Sequence, residues 1–127
     1  MKVRGIRGAI TVSKDTEEEI MRATTELLEE MIEANDLQEE HTASIFFSLT
    51  DDLSSTFPAV AARELGWNHA ALFCCQELAI DDSLNKCIRI LIHYNTDKEL
   101  REVNHIYLKK AKELRPDLVK GGVEEDE

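Results

Sequence analysis

Cysteine is scarce in this chain and its spacing forms no framework. Three thiols among 127 residues, Cys74, Cys75 and Cys87, make neither an even disulfide set nor a C-x-x-C pair. Adjacent cysteines rarely bridge each other, so Cys74 and Cys75 are expected as small buried thiols in a reducing compartment. No apolar run approaches the roughly eighteen residues of a membrane span. Met1-Lys2-Val3-Arg4 opens no apolar stretch of a signal peptide, and a cytoplasmic location is expected. Positive charge is the minority, with 15 Lys and Arg against 26 Asp and Glu and a formal net charge of -11. That balance argues against nucleic acid, whose phosphates need clustered cations, and against an anionic membrane surface; the only basic group is Lys109, Lys110 and Lys112. Also missing are a Gly-rich phosphate loop, a GxSxG elbow and any Cys/His set at metal spacing, so neither a cofactor nor a metal is expected. His41, His69, His93 and His105 are scattered and read as surface or structural histidines.

What is present describes one globular domain. Hydrophobic residues at 43% and charged residues at 32% suit a soluble α/β (α+β) protein with a single core. Val3 to Val12 reads as a strand. Thr16 and Glu19 then have capping-box spacing before a helix running to about Ala34, with Ile20, Thr24, Leu27, Leu28, Met31 and Ile32 inward and Glu29, Glu30 and Glu33 outward. Thr42 to Leu49 is a strand ended by Asp51-Asp52; Pro58 and Gly66 bracket a short helix over Ala59 to Leu65. Ala70 to Glu77 and Cys87 to Tyr94 are further strands. Leu100, Val103, Tyr107, Ala111 and Leu114 have helical spacing. Residues 119–127 read as an acidic flexible tail. The order implies a mixed sheet with helices mainly on one face, and self-association is a common remedy for the surface such a sheet leaves open.

Two arginines stand inside these strands. In Gly5-Ile6-Arg7-Gly8-Ala9, residues of equal parity share a face, so Arg7 lies between small neighbours, Gly5 and Ala9, opposite the face of Ile6, Gly8 and Ile10. A guanidinium in such a clearing fits a carboxylate. Arg89 interrupts Cys87-Ile88-Arg89-Ile90-Leu91-Ile92. The plainer reading of each is a pair with a nearby Asp or Glu, or a stem that snorkels to the surface.

Taken in order, Arg4-Gly5-Ile6-Arg7-Gly8-Ala9, Asp15-Thr16-Glu17-Glu18-Glu19-Ile20, Phe57-Pro58-Ala59, Arg63-Glu64-Leu65, Gln76-Glu77, Lys86-Cys87-Ile88-Arg89, Tyr107-Leu108 and Leu114-Arg115-Pro116-Asp117-Leu118 resemble the Bacillus-type monofunctional chorismate mutases, the AroH class, over residues 1–118. The resemblance implies a homotrimeric pseudo-barrel with helices outside and sites between subunits. It implies the cofactor-free Claisen rearrangement of chorismate to prephenate in aromatic amino acid biosynthesis. By position, Arg7 would grip a substrate carboxylate with the Tyr107 hydroxyl, Arg89 would face the ether oxygen, and Glu77 and Cys74 would meet the ring hydroxyl. Phe57 and Arg63 match residues lent by a neighbouring subunit, and Leu114 and Arg115 match a segment that closes over the cleft. The resemblance also favours a strand at Tyr107 over the helical spacing.

Three departures accompany it. Val60 stands where the family commonly has lysine, removing a cation from the cleft rim. Phe73 replaces a small polar residue and would either narrow the cleft or enter the core. Cys74 and Glu77 differ in parity, so a bulge or a strand end is needed to aim both at one site. A non-catalytic module binding a small anion on the same trimer is the alternative function.

Overall fold

The computed structural model describes residues 1–115 and 117; the expected acidic tail lies outside the described residues. Strand β1 (Lys2–Thr11) buries Ile6, Gly8 and Ile10 and exposes Arg7, the alternation read from the sequence. Helix α1 (Glu17–Asn35) follows, with the Thr16 hydroxyl accepting the Glu19 N–H at 3.1 Å. Three glutamates in its first turn complement the positive end of the helix dipole. The helix stops at Asp36, which is left-handed with φ 55, while the Leu37 N–H reaches back to the Ile32 carbonyl at 3.0 Å.

Strand β2 spans Thr42–Leu49, helix α2 Ala59–Glu64, strand β3 Ala71–Gln76, strand β4 Cys87–Thr96 and strand β5 Ile106–Tyr107. They form a five-stranded mixed sheet in the order β3-β2-β4-β1-β5. Strand β4 is antiparallel to both β1 and β2, whereas β3 and β5 run parallel to β2 and β1. Parallel neighbours need a crossover, and α2 supplies it between β2 and β3. Helix α1 makes the longer crossover from β1 to β2, over the strand between them.

Both helices lie on one face. Ile6, Ile10, Ile45, Phe47, Ile88, Ile90 and Ile92 from the sheet share one buried cluster with Ile20, Leu27, Leu28 and Met31 of α1 and Ala59 and Ala62 of α2. The small residues Ala59, Ala61 and Ala62 allow α2 to approach closely. Gly8 does the same for α1, because a Cβ there would lie 3.1 Å from a Leu27 methyl and closer still to the Met31 sulfur. Neither α1 nor α2 covers the opposite face, which bears Arg7, Phe46, Phe73, Arg89 and Leu91 and on which Tyr107 and Ala111 pack against Ala9 and Cys87.

The helical spacing read over residues 100–114 is corrected. The chain there makes a 3-10 turn at Leu100–Glu102, the two-residue strand β5 containing Tyr107, and a second 3-10 turn at Lys109–Glu113. Pairing with the free edge of β1 decides the outcome: Gly8 and Ala9 pair with Ile106 and Tyr107, and the Leu108 N–H donates to the Ala9 carbonyl at 2.9 Å. Strand β3 is also less apolar in place than in sequence, since it forms a sheet edge where exposure alternates.

Gly8→Ala should cost about 1–3 kcal/mol, because α1 must shift to admit a methyl group. Gly5→Ala, whose Cβ would meet only a Leu91 methyl at an ordinary 3.5 Å, should stay within about 0.5 kcal/mol. Chemical denaturation of both variants checks the contrast.

Candidate active site

One row of residues crosses the open face of the sheet. Pairing places Ser48 beside Cys75 on one side and Arg89 on the other, Arg89 beside Ala9, and Ala9 beside Tyr107. The next row is Phe73, Phe46, Leu91 and Arg7. Arg7 and Arg89 are thus diagonal neighbours, about 7–8 Å apart at the backbone. The short side chains of Ala9 and Ser48 leave a hollow around Arg89. A cavity of about 450 Å³ results, lined among others by Arg7, Glu77, Arg89, Tyr107, Leu114 and Arg115. A wider groove of about 570 Å³ runs along the outer side of α1, but Glu26, Glu29, Glu30 and Glu33 line it, and it would repel an anion.

Arg89 and Glu77 form the polar centre. Glu77 lies just past the end of β3, held by its N–H to the Leu49 carbonyl at 2.8 Å. Its Oε2 is 3.2 Å from Arg89 Nε and also accepts a short hydrogen bond from the Ser48 hydroxyl. Arg89 Nε is buried and makes no well-directed hydrogen bond, so its contact with Glu77 is electrostatic and off-axis. With Arg89 42% and Glu77 26% exposed, such a pair contributes under about 1 kcal/mol to folding. Stability alone gives little reason for a charged pair in the central strand.

Arg7 behaves differently. Its guanidinium takes no hydrogen bond or ion pair among the described residues, so the plainer reading as an ion-pair partner holds for Arg89 and is set aside for Arg7. Its backbone N–H donates to His105 Nδ1 at 2.9 Å, which ties the segment before β5 to β1. Burial first, and then the nearby Arg7 and Arg115 cations, push the His105 pKa below its ordinary value. Arg115, at the mouth, makes a two-ended contact with Asp117, at 3.1 and 2.9 Å. Tyr107 is buried against Ala9, Cys87 and Ala111, with Leu84 and Leu114 beside it.

The remaining expected residues lie elsewhere on this single chain. Cys74 faces away from the cavity: it packs at the edge of the helix-covered core, where burial raises its pKa, opposed by a hydrogen bond with the Ala59 backbone and by Arg63. Parity decides this, for β3 stays regular through Gln76 and directs Cys75, not Cys74, to the face of Ser48 and Arg89. Cys75 is exposed, which corrects the expectation of a buried thiol; the buried one is Cys87, its pKa pushed up to about 11 by burial. Phe73 is 59% exposed and meets Phe46 edge-on at 5.9 Å, so it does not enter the core. Phe57 is 70% exposed and, with Arg63 on α2, lies outside the cavity lining. Ser48 was missed by sequence reading; its place in the row of Arg89 and one row from Arg7 emerges only from strand pairing.

The cleft therefore presents the Arg7 cation, which has no ion pair among the described residues and only helps Arg115 hold the Asp117 carboxyl low, a cation held off-axis by a carboxylate, and a phenol. That set can grip and polarise a compact anion. Residues 3–118 match a family model described as chorismate mutase type I. Chorismate mutase AroH of Bacillus subtilis (strain 168) is 46% identical over 119 residues, spanning 93% of this chain and 94% of that protein. Chorismate mutase AroH of Thermus thermophilus is 50% identical over 117 residues, spanning 91% and 96%. A solved chorismate mutase from Clostridium thermocellum superimposes with a TM-score of 0.84 at 49% identity, covering 86% of this chain and 97% of that one.

The lowered His105 pKa has a defined effect on stability. The unfolded chain binds the proton more readily, so the folded state is fully favoured above the ordinary histidine value of 6.5 and loses stability as pH falls through the lower folded value. His105→Asn, which keeps an acceptor without a titrating ring, should show a smaller loss of melting temperature between about pH 6.5 and 5. Melting curves of both proteins across that range check it.

Proposed function

The chain belongs to the chorismate mutase type I family and is an isomerase, and we propose that the cleft around Arg7, Glu77 and Arg89 performs the rearrangement of chorismate to prephenate. In this reaction one C–O bond breaks as one C–C bond forms within a single molecule. No proton, electron pair or group leaves the substrate, so covalent or acid–base machinery has nothing to do. The gain must come from holding a compact conformer and from charge placed where the transition state polarises.

The observation that carries this reading is the off-axis Arg89–Glu77 contact in a hollow whose other wall is Arg7, which makes no side-chain hydrogen bond among the described residues. Arg89 faces the ether oxygen as negative charge grows there. Glu77 accepts a hydrogen bond from the ring hydroxyl, and its charge favours the cationic character of the ring. Arg7, helped by the Tyr107 hydroxyl, takes a carboxylate; Leu114 and Arg115 close the mouth. A millionfold acceleration corresponds to roughly 8 kcal/mol, and one charge-assisted hydrogen bond contributes about 1.5–3 kcal/mol. Arg89 is the largest single contributor, and selection of the reactive conformer by Arg7, Tyr107 and the apolar wall must carry much of the rest.

The complete site is read as lying between subunits of a homotrimer, with residues 1–118 as the repeating unit and the open sheet faces turned inward as a pseudo-barrel. Supporting this, Val3, Phe46, Phe73 and Leu91 give the open face an apolar share, while Phe57 just before α2 and Arg63 on it stand exposed, available to another subunit's cleft. Cys74 and Phe73 are assigned to the site with them, Cys74 from its place next to Arg63 and Phe73 from the rim beside Phe46. A cytoplasmic location fits the free thiols; among the described residues no helix is long and apolar enough to cross a membrane. The anion-binding module is not favoured, because the cleft pairs its cations with a carboxylate that a simple anion trap would do better without.

Purified protein should consume chorismate in a saturable manner far above background, followed by ultraviolet absorbance; Arg89→Ala should keep its fold and lose several orders of magnitude in kcat. Near-normal turnover in that variant would sink the mechanism. For the shared site, Arg63→Ala and Arg89→Ala chains, each impaired alone, should regain activity when unfolded and refolded together. Absence of that recovery in mixed trimers would place every essential group on one chain.

A further inference from the structure

We propose that Ser48 is a positioning residue that prevents Glu77 and Arg89 from closing into a two-ended ion pair, and so keeps both available to the substrate. The inference rests on the mutase reading of the same cleft. An arginine beside a carboxylate ordinarily settles into two parallel N–H···O bonds, the arrangement Arg115 adopts with Asp117. Arg89 and Glu77 do not. Their nearest approach, Oε2 to Nε at 3.2 Å, is so poorly directed that the buried N–H is left without a hydrogen bond, and among the described residues no hydrogen bond joins the two groups.

The Ser48 hydroxyl accounts for the difference. It donates to the same Oε2, and Ser48 is the register partner of Arg89 on β4 and of Cys75 on β3. Glu77 lies beyond the last residue of β3, and its one backbone tether leaves the side-chain torsions free. Ser48 supplies the missing restraint from the strand between. With Oε2 engaged, neither Oε1 nor the terminal nitrogens of Arg89 make a hydrogen bond among the described residues. A two-ended pair would instead spend the guanidinium on Glu77, and the loss would fall on the transition state, where charge develops, more than on ground-state binding.

The test is a double-mutant cycle with a rescue variant. Ser48→Ala should lower kcat at least roughly tenfold, the loss of one charge-assisted hydrogen bond, with KM changing less than about threefold. Ser48→Thr, which keeps the hydroxyl, should stay within about threefold of the parent. In a Glu77→Ala background, Ser48→Ala should add less than about twofold, since the two act as one unit. Unchanged kcat in Ser48→Ala, failure of Thr to rescue, or an equal loss without Glu77 would each overturn the proposal. A crystal structure of Ser48→Ala decides the matter independently of turnover, by showing a two-ended Arg89–Glu77 contact or the original single-ended one. Wild-type protein without turnover would count against the mutase reading, while that crystallographic comparison would still settle the role of Ser48.

Discussion

The register of β4 is the constraint on which the rest depends. Ile88, Ile90 and Ile92 lie buried beneath the helices, and Arg89, Leu91 and His93 alternate with them on the open face. A slip of one residue would carry the guanidinium into a hydrocarbon layer and lift the isoleucines into water. The penalty for burying an unpaired charge far exceeds any single contact in the site. The position of Arg89 is therefore set by the core behind it, and β1 and β2, pairing with β4 on either side, inherit that position for Arg7 and Ser48. Precision at the cleft follows from hydrophobic burial elsewhere.

Much of this was legible in the residues. Strand β2 has the bounds expected from its turn signals, α1 starts at the cap read from Thr16, and the alternation around Arg7 places it on the exposed side. Over residues 100–114 spacing alone points to a helix, whereas the family resemblance favours a strand at Tyr107, and the strand is what forms. Leu100, Val103, Tyr107, Ala111 and Leu114 recur at helical intervals, and local spacing contains no information about the free edge of β1, which captures Ile106 and Tyr107 as a strand. Cys74 stays outside the single-chain cleft because a motif fixes position along the chain, whereas the pleat fixes the side, and the pleat brings Cys75 next to Ser48. Ser48 carried no signal of its own, as one hydroxyl in an apolar strand.

Small residues do as much as charged ones to create the site. Ala9 and Ser48 flank Arg89 in its row, and a larger side chain at either place would fill the hollow. Gly8, one residue away on the opposite face, admits α1 at close range. Consecutive positions in β1 thus serve two different requirements: Arg7 presents charge, Gly8 admits the helix, and Ala9 makes room beside Tyr107. A strand can meet all three because its side chains alternate.

The layering also gives each subunit an electrical polarity. Glu17, Glu18, Glu19, Glu26, Glu29, Glu30 and Glu33 ride on α1, while Arg7 and Arg89 occupy the uncovered side of the sheet. Such a plate has an acidic back and a cationic front. On the acidic back, the glutamates hold anions and other copies of the chain away by like-charge repulsion. Repulsion between copies and attraction of an anion to the cleft thus belong to opposite sides of one sheet, and neither weakens the other.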